Sequence, residues 1–235
     1  MSDRQDAPGV PPGGVGQKLE KDEARSGFLG FVAHEMRNPL STALWSAELL
    51  ARLSPEERSG ARGEKLTGMS LRALQRLRLL IEDHFLAERL EVGGIPFKVD
   101  DVLLREALDA VGAKAVPGEL TAVIEDGLAV RADRGLLERA LDGLLASAAR
   151  GKAPVRVEVT RAGDRVHVRV RGAPPPHDAF ARPQKGTPSD PTGRALALHM
   201  VAGVARALGA SLSATSEEYL LDLPVALSAP PLEPR

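Results

Sequence analysis

Phe31-Val32-Ala33-His34-Glu35-Met36-Arg37-Asn38-Pro39-Leu40 places one histidine beside a carboxylate and, one helical turn later, an amide. A helix advances about 100° per residue, so each position can be set around the axis relative to His34. Phe28, Leu29, Val32, Met36, Pro39, Leu40, Ala43, Ala47 and Leu50 then fall on the side opposite His34 and make one broad apolar stripe. That stripe is the expected packing face. His34 points outward, with Asn38 on its own face and Glu35 about a quarter turn round. The set suits phosphoryl chemistry on imidazole: a ring nitrogen attacks phosphorus, the carboxylate accepts or orients the ring proton, and the amide positions a water for the reverse task.

His-Glu-Met-Arg-Asn-Pro-Leu, preceded by Phe28-Leu29-Gly30-Phe31-Val32-Ala33, resembles the phosphoacceptor box of bacterial sensor histidine kinases. The resemblance spans residues 20 to 92 and extends more weakly to about 228. It implies that the box lies on the first helix of a helical hairpin, and that hairpins from two subunits form a four-helix bundle. The family's proline one turn beyond the histidine matches Pro39, which removes a backbone donor and bends the helix.

Composition fits a cytoplasmic regulator. The 235 residues leave room for two modest domains, and a hydrophobic content of 43% can supply a core. A formal net charge of −1 points neither to nucleic acid nor to an anionic membrane surface. With no cysteine there is no disulfide framework and no thiolate metal site. No apolar run reaches the roughly 20 residues that span a bilayer.

The chain divides by composition. Residues 1 to 16 carry Pro8, Pro11, Pro12 and four glycines, which predicts a disordered tail. Residues 17 to 92 form the hairpin: a first helix from about Gln17 to Leu53, a short turn started by Ser54-Pro55-Glu56-Glu57, and a second helix from about Gly63 to Glu91. Leu66, Met69, Ala73, Leu74, Leu77, Leu80 and Ile81 share one face of that second helix. Residues 95 to 228 mix strands and helices. A strand at Ile95 to Val99, a helix at Val102 to Val111, a strand at Glu119 to Glu125 and a helix at Gly135 to about Ala149 precede a hairpin of Val155 to Thr160 with Arg165 to Arg171. A helix from about Ala195 to Ala207 and two strands, Ser211 to Thr215 and Tyr219 to Val225, complete the set, and residues 229 to 235 are a tail. The fold class is α+β: a dimeric helical hairpin followed by an α/β sandwich whose element order resembles the ATP-binding lobe of histidine kinases.

Where the family's lobe does chemistry, this sequence departs from it. The family's helix after the match to Val130-Arg131-Ala132-Asp133 carries an asparagine pair that holds magnesium and phosphate, and here it reads Gly143-Leu144-Leu145-Ala146-Ser147-Ala148. The family's Asp-x-Gly-x-Gly box is replaced after Val168-Arg169-Val170-Arg171 by Gly172-Ala173-Pro174-Pro175-Pro176, and nearby Asp178 is out of register. The phosphate-cradling glycine run is reduced to Gly193 in Pro191-Thr192-Gly193-Arg194-Ala195-Leu196-Ala197, where Arg194 would crowd a nucleotide. Ala179 to Gly186, with Phe180, resembles the family's lid and should be mobile without a phosphate to close on.

ATP and magnesium are therefore not expected as cofactors. The resemblance implies exchange of phosphate between His34 and a response-regulator receiver aspartate, by a histidine phosphotransferase or phosphatase in which Glu35 moves the proton, Asn38 places the water and the receiver brings magnesium. Alternatives are a noncatalytic pseudokinase that binds a receiver or a partner kinase, and an active kinase with an unusual pocket. A homodimer is expected. His84, His167, His177 and His199 show no ligand spacing and read as structural or surface groups. Trp45 lies about 20° from His34 around the helix, either packed under the second domain or presented to a receiver.

Overall fold

The structure is a computed structural model that describes residues 13–93, 96–150, 153–184, 186–187 and 193–226, with side chains from residue 23 onward. Three helices make the first unit: α1 (Gly13–Ala51), α2 (Pro55–Ser59) and α3 (Ala61–Val92). The first helix starts four residues inside the expected tail, whose first twelve residues lie outside the described set, as do residues 229 to 235. The turn between α1 and α3 is fixed by a reciprocal cap. The Glu57 N–H donates to Ser54 Oγ, and the Ser54 N–H donates to the Glu57 carboxylate, each at 3.2 Å. α3 ends at Gly93 in the left-handed conformation, with φ 73°.

Val32 and Ala43 on α1 and Leu66, Ala73, Leu80 and Ala87 on α3 are buried. The apolar stripe on α1 is wider than this contact. Leu29 and Leu40 are 46% and 52% exposed, and Ala47 is exposed too, because these positions sit at the edge of the stripe turned away from α3. With Leu44 of α1 and Leu71, Leu74, Ile81 and Phe85 of α3, they leave the hairpin with an uncovered apolar side. Among the described residues no helix is long and apolar enough to cross a membrane.

The second unit contains β1 (Val99–Leu103), α4 (Leu104–Ala115), β2 (Leu120–Ile124), β3 (Ala129–Asp133), α5 (Arg134–Ala148), β4 (Val155–Ala162), β5 (Arg165–Arg171), α6 (Arg194–Ala207), β6 (Ser211–Ala214) and β7 (Glu218–Pro224). A five-stranded sheet runs in the order β2-β4-β5-β7-β6, parallel between β2 and β4 and antiparallel elsewhere. Val155, Val157 and Val159, then Val166, Val168 and Val170, then Tyr219, Leu221 and Leu223 alternate inward and pack against Leu108, Leu137, Leu141, Leu144 and Val204 of the three helices. The helices cover one face of a mixed sheet.

The start of this unit differs from the sequence expectation. Ile95 of the expected strand lies outside the described residues; among those described the strand begins at Val99, and Val102 and Leu103 belong to it rather than to the helix. The Lys98 N–H is tied to the Asp133 carboxylate at 3.0 Å, and β1 then pairs with β3 in a separate two-stranded ribbon, Val102 opposite Val130. Val102 is buried from the strand, so its apolar character was read with the wrong period. The helix in turn runs on past Val111 to Ala115.

Candidate active site

The site lies on the middle of α1, around Pro39. Proline cannot donate to the carbonyl one turn earlier, that of Glu35, so the backbone ladder is interrupted beside the candidate residues. The next turns are reinforced by side chains: Thr42 Oγ1 donates to the Asn38 carbonyl at 3.1 Å and Ser46 Oγ to the Thr42 carbonyl at 2.7 Å.

His34 and Asn38 are both exposed on the face predicted for them. Glu35 is only 3% exposed and turns into a groove of about 450 Å³ between α1 and α3. Asn38, Thr42, Met69, Arg72 and Arg76 line the same groove. Glu35, Asn38 and Arg76 are each engaged by neighbouring groups. The structure thus brings Glu35 and Asn38 together in one groove, while His34 is exposed and does not line it. Arg72 and Arg76 carry no sequence motif, and their spacing of one helical turn beside the apolar stripe was the available signal. Trp45 is 54% exposed on the His34 side and is not covered by the second unit.

Above the groove the second unit is seated on the hairpin. Leu196 of α6 is fully buried in a cluster with Phe28, Phe31 and Val32 of α1 and Leu80 of α3. Asp83, 4% exposed, receives the Arg139 guanidinium, which also binds Asp142 at 2.8 Å. Burial pushes the Asp83 carboxyl above its ordinary range against the pull of Arg139. Phe28 has Arg182 4.4 Å above its ring and the rings of His199 and His84 at 5.3 and 5.6 Å. Arg182 also binds Glu88 at 3.1 Å and Glu91 at 3.4 Å. Of the segment expected as a lid, Ala179 to Gly186, residue 185 lies outside the described residues, and residues 179 to 184 are held against the hairpin by Arg182, which finds two carboxylates and an aromatic face there. Burial, with Arg182 and Arg206 nearby, lowers the His199 imidazole to about 4.

The segments matched to nucleotide boxes lie against one another. A Cβ on Gly143 would stand 2.7 Å from Val201 Cγ2, so α5 and α6 touch there and a side chain would force Val201 or a helix to shift. A Cβ on Gly172 would meet the Ala148 carbonyl at 2.4 Å, and the Ala173 N–H donates to that same oxygen at 2.7 Å. Ser147 Oγ lies 2.8 Å from the Tyr219 hydroxyl, and Arg194 bonds both. Asp178 is on the surface, 2.7 Å from His177 Nδ1.

Residues 24–93 match the His Kinase A (phospho-acceptor) domain. The sensor protein CseC of Streptomyces coelicolor is 32% identical over 200 residues, 83% of this chain and 37% of that protein. CseC of Streptomyces avermitilis is 33% identical over 201 residues, 83% of this chain and 38% of that protein. The chain therefore spans less than two-fifths of the length of these curated relatives. Full-length ShkA, solved in complex with AMPPNP, superposes with a TM-score of 0.59 at 21% identity, covering 87% of this chain and 47% of that one. The histidine kinase AdeS of Acinetobacter baumannii gives 0.58 at 15% identity, covering 83% and 98%. With its phosphoacceptor box on a hairpin of the His Kinase A type and a following lobe that shares the fold of these kinases, the chain belongs to the bacterial sensor histidine kinase family.

Proposed function

We propose that the chain exchanges a phosphoryl group between His34 and the aspartate of a response-regulator receiver, as a histidine phosphotransferase or phosphatase, and does so without ATP. One observation carries the second half of this reading: Gly143, at the position of the family's first asparagine, lies so close to Val201 that any side chain there would force α5 or Val201 to shift. The residues present do not fit a nucleotide with its magnesium, since Ser147 at the second asparagine position is already bonded to Arg194 and Tyr219. The exposure of His34 and Asn38 supports the first half.

In transfer, a ring nitrogen of His34 attacks phosphorus. The N–P bond forms as the bond from phosphorus to the aspartyl oxygen breaks, the carboxylate leaves with the electron pair, and Glu35 accepts the ring proton. In hydrolysis Asn38 places the attacking water on the aspartyl phosphate. The receiver supplies the magnesium that these steps use. The uncovered apolar side of the hairpin supports a homodimer as the working unit.

Incubating the chain with a phosphorylated receiver should move label onto His34, and ATP with magnesium alone should give none. Autophosphorylation from ATP would overturn the reading. Replacing Asn38 should mainly slow receiver dephosphorylation, whereas replacing Glu35 should slow transfer in both directions. A noncatalytic binder of a receiver or partner kinase is the second reading, favoured by the burial of Glu35, which is already engaged by another group. Under it, the His34→Ala chain keeps its full biological output.

A further inference from the structure

The guanidinium of Arg194 joins three separate parts of the lobe. Its Nε donates to Ser147 Oγ on α5 at 2.5 Å, and its Nη2 donates to the Tyr219 hydroxyl on β7 at 2.5 Å and to the Pro174 carbonyl after β5 at 2.8 Å. Ser147 and Tyr219 are both buried, at 4% and 0% exposure. A planar fork of donors can serve three acceptors at fixed angles, which a lysine ammonium on its flexible stem does less well.

From the same corner a line of contacts runs to the hairpin. The Phe180 ring lies 6.0 Å from the Tyr219 ring, and two residues later Arg182 holds Phe28, Glu88 and Glu91. Phe28 stands six residues before His34 on α1.

We propose that Arg194 is a built-in clamp. It closes the corner between α5, β7 and the loop after β5, and so keeps residues 179 to 184 seated on the hairpin with no ligand required. The proposal rests on the reading that the lobe takes no nucleotide. Arg194 is a positioning residue: it meets no reacting atom, and acts by holding the strap that covers the turn of α1 leading to His34.

Hydrogen exchange read by mass spectrometry on the full chain tests this, with the wild type, the wild type plus ATP and magnesium, Arg194→Ala and Arg194→Lys. In Arg194→Ala, amides in 174–184 and 25–32 should exchange at least about tenfold faster while 155–171 keep their protection, and Arg194→Lys should restore protection only in part. ATP with magnesium should leave the wild-type pattern unchanged. Wild-type exchange of the strap in Arg194→Ala overturns the clamp. If Arg194→Ala also loses protection in 155–171, the lysine variant decides: a loosened strap on an intact sheet supports the clamp, and a wild-type strap overturns it. Collapse of both variants counts against it, since Arg194 would then serve the whole lobe. Protection of 172–184 by ATP overturns both the clamp and the nucleotide-free reading, whereas a loosened strap with no receiver transfer overturns only the phosphotransfer.

Discussion

The turn of α1 around His34 and the corner of the lobe around Arg194 are built in opposite ways. At His34 the polar groups face solvent or a groove of about 450 Å³, and the backbone ladder is broken by Pro39. At Arg194 the polar groups face each other: its Nε and Nη2 are bonded to Ser147, Tyr219 and the Pro174 carbonyl, and Ser147 and Tyr219 to one another. A surface kept open can act on a partner, while a corner whose donors and acceptors are spent on one another can only hold shape. The difference teaches that one chain can carry a polar surface left open beside a polar corner closed on itself, and that likeness of fold does not say which chemistry either performs.

The largest effect should come from the open region. His34→Ala should abolish phosphoryl labelling from a phosphorylated receiver, and acid-labile phosphate retained in that variant would break the comparison at its first term. Next, Leu74→Glu should split the dimer, because a carboxylate would enter the apolar side shared by two hairpins without a partner. Light scattering at micromolar concentration should then report a monomer, and a wild type that is already monomeric would remove the second copy from the account.

Two experiments probe the closed region. The His199 imidazole is held at about 4 in the folded chain against 6.5 in its ordinary state. As pH falls from about 6.5 toward 4 the unfolded chain takes up a proton that the folded chain refuses, so stability should drop by up to about 3 kcal/mol across that window. Denaturant titrations of the wild type and His199→Leu should diverge there, with the wild type losing more. Gly143→Asn, which reinstates the family's residue, should cost about 1–3 kcal/mol in the same measurement, since its side chain meets Val201. A neutral result would mean that the corner is less tightly closed than its contacts imply.

The smallest effect belongs to Trp45. Exposed on the His34 side, it should contribute about 1 kcal/mol or somewhat more to receiver binding, so Trp45→Ala should weaken affinity by roughly fivefold to tenfold with unfolding unchanged. Unchanged affinity with a large loss of thermal stability would place Trp45 in the packing of the hairpin instead.

The open region was legible in the sequence because its determinants are local. His34, Asn38 and Trp45 take their faces from helical geometry alone, and Ser54 with Glu57 announces its own cap. The departures from the family's boxes at Gly143, Gly172 and Gly193 are likewise visible in the sequence alone, since they rest on matched positions. What occupies their place could not. Arg194 meets Ser147 across 47 positions and Tyr219 across 25, and Arg182 meets Glu88 across 94, distances over which no periodicity carries information. The boundary at Val102 and Leu103 failed for a different reason, because a short buried strand followed directly by a helix presents one uninterrupted apolar pattern.

The contact between Gly143 and Val201 also bears on how the sequence can change over generations. An asparagine placed at position 143 alone meets a methyl group; a smaller residue at 201 alone leaves a void between α5 and α6. Each single step lowers fitness wherever stability is near its threshold, and only the pair together could be neutral. The contact therefore couples positions 143 and 201, so that a larger residue at one is tolerated only with a smaller one at the other.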